Sequence, residues 1–519
     1  MINLESYVAG RWQAGAGRGS ELHNPTTGEP IGTTSTDGLD LAGALVYARD
    51  RGGPALRAMS FAQRGEVLGR MGKALRAARE ELIDASILNA GTTRSDAKFD
   101  IDGAIGTLAY YASLGQHLGD RSYAVEGDGV QLTRSPRFWG HHVRVPRRGA
   151  AIHINAFNFP AWGLAEKAAV ALLAGMPVVS KPASSTALLA FRVMQRLVSA
   201  EILPDGALQL VCGGAGDLLE HVGSQDVLAF TGSGSTGVLL RGLRQVVGHS
   251  VRVNVEADSL NAAVLTVDAD PGSETYAMFI RDVVREMTQK TGQKCTATRR
   301  IFVPSAVIDR VEADLREQLA ALTVGDPALA ETRMGPLATA QQLRDVRAGI
   351  ARLVEAGARV VHGSAEQVAL VGADAARGYF LGPVLLRADS PRDAKAVHEH
   401  EVFGPVSSLM PYASSDEAVE LVAMGDGGLV ASIYGDDRDA IASIVLGIAP
   451  YHGRITVGSR KVADQATPPG VVLPSCVHGG PGRAGGGEEL GGERGLAFYT
   501  QRTAVQGDRA LLERILGPF

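Results

Sequence analysis

The residue in this chain best suited to covalent chemistry is Cys295, in the run Gly292-Gln293-Lys294-Cys295 between a segment of helical period and a short β-branched strand. A thiol becomes a nucleophile when its pKa is lowered and it can be reached. Otherwise a lone cysteine serves as a small core hydrophobe. Three further stretches favour the nucleophile: Ala156-Phe157-Asn158-Phe159-Pro160, Val255-Glu256-Ala257-Asp258 and Glu401-Val402-Phe403-Gly404-Pro405. A fourth, VLAFTGSGSTG at 227–237, reads as a buried strand entering a glycine turn that opens a helix. Backbone amides at a helix N-terminus suit a pyrophosphate. The glycine spacing is not G-x-G-x-x-G, so an ordinary strand-to-helix turn explains it equally well.

These residues need a scaffold, and the pattern supplies one. From Gly149 strands and helices alternate with short turns through Val255, the signature of βαβ units and a parallel sheet wound on both faces. Such sheets bind ligands beyond the carboxyl ends of their strands, which singles out the loops after Asn155, Lys181 and Phe230. A second α/β block follows Asp258, with helical periods at 273–289, 305–322 and 340–356. The segment 123–145 reads as two extended pieces that interrupt the α/β pattern, and Leu496–Val505 reads as a strand. The glycine-rich HGGPGRAGGGEELGG at 478–492 reads as a mobile loop inside the fold.

Composition narrows the function classes. A chain of 519 residues exceeds what one core serves, so two large domains are expected. With 45% hydrophobic residues, 21% charged and 64 glycines it fits a globular enzyme, and a net charge of −5 provides no basic field for nucleic acid. The amino-terminal MINLESYVAGRWQAG has no basic or apolar leader pattern, and the longest apolar stretch, 168–179, is interrupted by Gly175 and Pro177. A cytoplasmic protein without membrane contact is expected. Cys212, Cys295 and Cys476 lie far apart, giving neither a disulfide framework nor a zinc spacing. His398 and His400 beside Glu399 resemble a metal cluster but are read as loop residues, so no metal is expected.

In order along the chain, IHINAFNFPAWG, SKPASST, FTGSGSTG, VEADSLN, TGQKC, HEVFGP and HGGPGRAGGGEELG resemble the signature blocks of the aldehyde dehydrogenase superfamily. Within it the chain is similar to members acting on CoA-linked semialdehydes in the aerobic breakdown of aromatic acids. The resemblance implies an α/β fold with a cofactor-binding domain at 1–122 and 149–257 and a catalytic domain at 258–475. It also implies a bridging arm at 123–148 and 496–507, a Gly-rich loop at 476–495, and a homodimer joined through the arm. It implies that Cys295 attacks the aldehyde, that Asn158 and the Cys295 N–H hold the oxyanion, and that Glu256 is the base. A Glu256 pKa raised towards neutrality would suit that role.

For the cofactor the resemblance implies Lys181 on the adenosine ribose, Gly232, Ser233 and Gly237 at the pyrophosphate turn, and Glu401 on the nicotinamide ribose. Phe403 packs near the nicotinamide, and Phe157 stands where many members have Trp. NAD-preferring members commonly carry a glutamate three residues after the lysine, where this chain has Ser184. A hydroxyl there tolerates a 2′-phosphate, so NADP is expected over NAD. Lys294 either lowers the thiol pKa or points to solvent, the second being favoured. The expected reaction is oxidation of a CoA-linked semialdehyde to a carboxylate. Two alternatives stay open: a CoA-acylating dehydrogenase, and a silent scaffold of the same fold. Asn158 as a helix cap and Glu256 as a strand-end carboxylate paired with an Arg are the plainer readings of those residues.

Overall fold

In the computed structural model, residues 1–488 and 490–517 are described; Glu489 of the Gly-rich stretch lies outside them. Buried β-rich runs build the first sheet in the order Arg252–Glu256, Val227–Thr231, Ala151–Ile154, Val178–Lys181, Leu208–Leu210, all parallel. Strands buried on both faces need near-continuous apolar sequence, which VLAF and VVS supply. Ser6–Val8 and Arg11–Gln13 extend the edge in antiparallel fashion. From the central strand Ala151–Ile154 the chain moves outward through two strands, then returns to its other side with Val227–Thr231. The strand order therefore reverses between Ala151–Ile154 and Val227–Thr231, the place where a doubly wound sheet opens a crevice.

The second sheet runs Arg359–His362, Val384–Arg387, Val406–Tyr412, Arg300–Pro304, Ala262–Leu265, Gly428–Tyr434, His452–Gly458. Only Arg359–His362 is antiparallel to its neighbour. Helices Glu274–Thr288 and Ile308–Ala320 cover one face of this sheet. A separate three-stranded antiparallel sheet joins Ala124–Gln131, Phe138–Pro146 and Thr500–Asp508, with Thr500 opposite Pro146 and Asp508 opposite Phe138. Among the described residues no helix is long and apolar enough to cross a membrane.

Two sequence expectations are corrected here. Leu496 to Tyr499 is not strand but the end of helix Gly492–Tyr499, so the C-terminal strand of the arm starts at Thr500. The reason is spacing: Leu496 and Tyr499, three apart, share a buried helical face, and the Tyr499 hydroxyl meets His153 Nε2 at 3.1 Å. The Gly-rich stretch is not a loose loop, because it lies against the strand carrying Glu256. Ala257 N–H donates to Ala484 O at 3.1 Å and Asn254 Nδ2 donates to Glu488 O at 3.2 Å. Gly485, at φ 110°, lets the two backbones approach where a Cβ would overlap Val255 O.

Candidate active site

Cys295 sits in a loop whose shape is imposed from outside. Helix Glu274–Thr288 ends, and Lys290, Thr291 and Gly292 follow with φ of 54°, 56° and 67°. Left-handed backbone costs an L-residue about 1–2 kcal/mol, so neighbours must hold it. Thr291 Oγ1 donates to Gly335 O at 3.0 Å. The buried Lys290 ammonium lies 4.2 Å from the Phe159 ring centroid and 3.8 Å from Asp100. At Gly292 a Cβ would overlap Gly404 O, so glycine lets the nucleophile loop touch the Glu401–Pro405 loop. Two residues that the sequence did not single out complete the clamp. The Arg299 guanidinium donates to Gly292 O, Lys294 O and Gly404 O at 3.0, 3.2 and 2.8 Å. Asn261 Nδ2 donates to Cys295 O and Ala297 O, both at 2.8 Å, while its Oδ1 accepts from Val430 N–H.

The expectation that Lys294 points to solvent is wrong. Its side chain is fully buried, donating to Glu286 Oε2 at 2.6 Å and Gln289 Oε1 at 2.9 Å. A buried ammonium needs a paired carboxylate, and the preceding helix supplies one. Lys294 thus anchors the loop and leaves the thiol to other groups.

Those groups converge at the end of strand Arg252–Glu256. The reactive atoms of Glu256, Cys295 and His478 all lie within 4.8 Å of one another, and His478 Nε2 is 3.7 Å from Glu256 Oε1. Burial pushes the Cys295 thiol well above its ordinary range, and the Glu256, Glu166 and Glu401 carboxylates add to this. The resting residue is therefore a thiol that needs a base. Burial alone would also raise Glu256, but His478, Lys167 and the hydrogen bond from the Cys295 S–H outweigh it and hold this carboxyl at about 2. This runs against the expected rise towards neutrality: the groups that face the carboxyl decide the sign. Glu166 moves the other way, up, through burial, opposed by Lys167 and reinforced by Glu256. Glu256 is the ionised member of the pair.

Asn158 is free of the capping role that was its plain alternative. Helix Trp162–Leu173 takes its N-terminal acceptor from Asp100, whose Oδ1 accepts from Trp162 N–H at 2.7 Å. The buried Asn158 instead lines two cavities, as do Ala156, Thr231, Glu256 and Cys295. The inner cavity, about 550 Å³, is walled by Phe159, Trp162 and Val472. The second is a cleft of about 1350 Å³ at the sheet's reversal point. The five shared residues are where the two spaces meet.

Lys181, Gly232, Ser233, Glu401, Phe403 and Phe157 all line the larger cleft. Lys181 Nζ donates to Pro182 O at 3.0 Å, and burial lowers its pKa. Ser233 caps helix Gly234–Arg241, accepting from Thr236 N–H at 3.4 Å. Glu401 is fixed by Arg299 Nε at 3.3 Å and Ser259 N–H at 3.0 Å. Phe157 and Phe403 meet edge to face at 5.8 Å.

The model of the aldehyde dehydrogenase family matches residues 12–505. The chain belongs to the aldehyde dehydrogenase family. It is 46% identical over 480 residues to 3,4-dehydroadipyl-CoA semialdehyde dehydrogenase of Aromatoleum evansii, covering 92% of this chain and 93% of that protein. It is 40% identical to Protein MaoC of Klebsiella aerogenes over 182 residues, 35% of this chain and 52% of that one. Among solved structures it is similar in fold to betaine aldehyde dehydrogenase from Staphylococcus aureus (TM-score 0.84, 21% identity, 98% of this chain and 95% of that one covered).

Within this aldehyde dehydrogenase two of the expected cofactor residues stand back from the cleft. Gly237 is buried inside helix Gly234–Arg241, where a Cβ would meet Val255 Cγ1 at 2.7 Å, so it sets helix-to-strand packing. Ser184 opens the short 3₁₀ turn Ser184–Thr186, and its neighbour Ala183 is the residue lining the cleft. The dehydrogenase residues that sequence reasoning missed are Asn261, Arg299, His478, Glu166 and Lys167. His478 alone left a trace, as a histidine heading a glycine run; the others gain their role through distant partners.

Proposed function

We propose that the protein oxidises a CoA-linked semialdehyde, 3,4-dehydroadipyl-CoA semialdehyde or a near analogue, to the carboxylate with NADP as oxidant. The observation that carries the substrate is the 46% identity, over nearly the full length of both chains, to the Aromatoleum evansii enzyme of that name. The larger cleft fits a nicotinamide dinucleotide. It offers the Ser233 helix start for phosphates, a cationic Lys181, an anchored Glu401 carboxylate for ribose hydroxyls and two phenyl rings for a planar base. Related structures hold NAD+ in a Bacillus cereus aldehyde dehydrogenase and NAP in 3,6-anhydro-L-galactose dehydrogenase. The preference for NADP rests on the lack of a carboxylate at position 184, next to the cleft-lining Ala183, so that this position carries no charge to repel a 2′-phosphate.

In this reading Glu256 takes the Cys295 proton, and the thiolate sulfur bonds to the aldehyde carbon. The oxyanion is held by the Asn158 amide and the Cys295 N–H, a type of donor pair in which each member is worth about 10²–10³ in kcat. A bound nicotinamide dinucleotide supplies the acceptor for the hydride leaving that carbon. Glu256, restored by proton loss to solvent, then takes a proton from the water that attacks the Cys295 thioester, and the C–S bond breaks to give the carboxylate. A base in contact with Cys295 supports hydrolysis over transfer of the acyl group to free CoA. The arm of Ala124–Gln131, Phe138–Pro146 and Thr500–Asp508, which exposes Val130, Leu132 and Phe138, supports a homodimer.

The test is the initial rate of NADPH and NADH formation with a CoA-linked six-carbon semialdehyde and with the CoA-free aldehyde. Preference for NADP and for the CoA-linked substrate is expected. Equal rates with both aldehydes would remove the substrate assignment, and preference for NAD would remove the cofactor assignment.

A further inference from the structure

On the far side of the inner cavity from the dinucleotide cleft lies an open groove of about 1260 Å³. Phe99, Trp162 and Val472 line both the groove and the cavity that holds Cys295, so the two spaces adjoin at this collar. The aromatic part is rigid: Phe99 and Trp162 meet edge to face at 5.2 Å, and the Trp162 indole N–H donates to Thr107 Oγ1 at 3.1 Å.

One wall of the groove is a single face of the helix Arg94–Leu118. Lys98, Phe99, Asp102, Gly103, Gly106 and Tyr110 recur at helical spacing along it. Gly106 hollows that wall, where a Cβ would meet nothing within 4 Å, while Gly103 lets the Trp162 ring pack against the helix. The facing wall is the end of helix Glu274–Thr288, with Arg285, and the segment 471–475. Asp102 is taken up by Arg79, whose Nε donates to its Oδ1 at 2.7 Å. Among the described residues Lys98 and Arg285 have no ion-pair partner within 4.0 Å. The groove therefore has an apolar throat and two cations at its rim that make no ion pair, Lys98 lying near enough to Asp102 to help lower that carboxyl.

We infer that this groove is the subsite for the CoA moiety of the substrate, with the pantetheine arm crossing the Phe99–Trp162–Val472 collar and the CoA phosphates meeting Lys98 and Arg285. The inference rests on the proposed CoA-linked substrate and adds where its tail lies. A long, weakly polar arm suits the collar, and phosphates suit two cations that make no ion pair. A simple aldehyde would fill only the inner cavity. The Arg-rich segment 134–148 is a poorer candidate, because Arg144 pairs with Glu126 and Arg147 is buried on the carbonyls of Ser224 and Gln225.

The experiment compares wild type, the double variant Lys98→Glu/Arg285→Glu, and Gly106→Phe, which fills the groove without touching the nucleophile. Arg134→Glu on the arm serves as the silent control. KM and kcat are measured for the CoA-linked six-carbon semialdehyde and for the CoA-free aldehyde, and CoA itself is tested as inhibitor of CoA-free aldehyde oxidation. Expected are a KM for the CoA-linked substrate raised about tenfold or more in both groove variants, with kcat and the KM for the CoA-free aldehyde within about twofold of wild type. Inhibition by CoA should weaken in parallel. If wild type favours the CoA-linked substrate and both groove variants keep that preference, the substrate reading stands and the subsite is wrong. If wild type itself shows neither that preference nor inhibition by CoA, the substrate reading fails and the subsite falls with it.

Discussion

The proposed nucleophile Cys295 and the proposed base Glu256 are shifted in opposite directions by their surroundings. The thiol is raised by burial and carboxylates, the carboxylate is lowered by His478 and Lys167, and the proton waits on sulfur until substrate arrives. Cys295→Ala should abolish NADPH formation while leaving circular dichroism unchanged. Asn158→Ala should lower kcat about 10²–10³-fold with a smaller change in KM, measured with either aldehyde. His478 gives a sharper test. Glu256 has a depressed pKa of about 2, so its base form persists as pH falls until that value is approached. Replacing His478 by Phe removes the lowering contact and leaves burial, which raises the carboxyl pKa. The acid limb of kcat/KM should then move to higher pH in His478→Phe. An unmoved limb would show that His478 does not govern Glu256.

At the scale of elements, the Cys295 loop is held by contacts from distant segments, among them Asp100, Asn261, Gly335 and Gly404, rather than by its own preferences. Gly292→Ala would place a Cβ on Gly404 O at a φ of 67°, displacing the loop. A shift of about 1 Å at a reacting atom costs roughly a hundredfold in rate, so activity should fall by that order while the global fold survives. The Lys294–Glu286 pair stabilises the same loop from inside. Lys294→Met strands a buried carboxylate and should cost about 3–5 kcal/mol of stability, seen as a lower Tm or denaturant midpoint. Adding Glu286→Leu should restore most of that loss, because two apolar groups of similar volume need no charge partner.

For the whole molecule, the candidate site forms where two sheets meet. Glu256 ends a strand of one sheet, Cys295 precedes a strand of the other, and His478 arrives on a segment that returns from the second sheet to the first. The third sheet stands apart, with Val130 63% exposed. If two chains join through it, Val130→Glu combined with Phe138→Glu should shift the sedimentation mass from two chains towards one.

The α/β alternation and the order of the motif blocks were legible because they are local. Strand and helix periods, glycine turns and short runs such as FTGSGSTG and TGQKC depend on neighbouring residues alone. Those blocks carry the family resemblance, and the resemblance is what points to Cys295, Glu256 and Asn158. The register at which helix gives way to strand near Leu496 was misread, since an eight-residue helix shows too little periodicity against an adjoining strand. The fate of Lys294, the sign of the Glu256 shift and the roles of His478, Asn261 and Arg299 were decided by tertiary structure. Each depends on which charge or carbonyl lies a few ångströms away across a long chain separation, and electrostatic energy at that range is fixed by folded distance and burial rather than by sequence spacing.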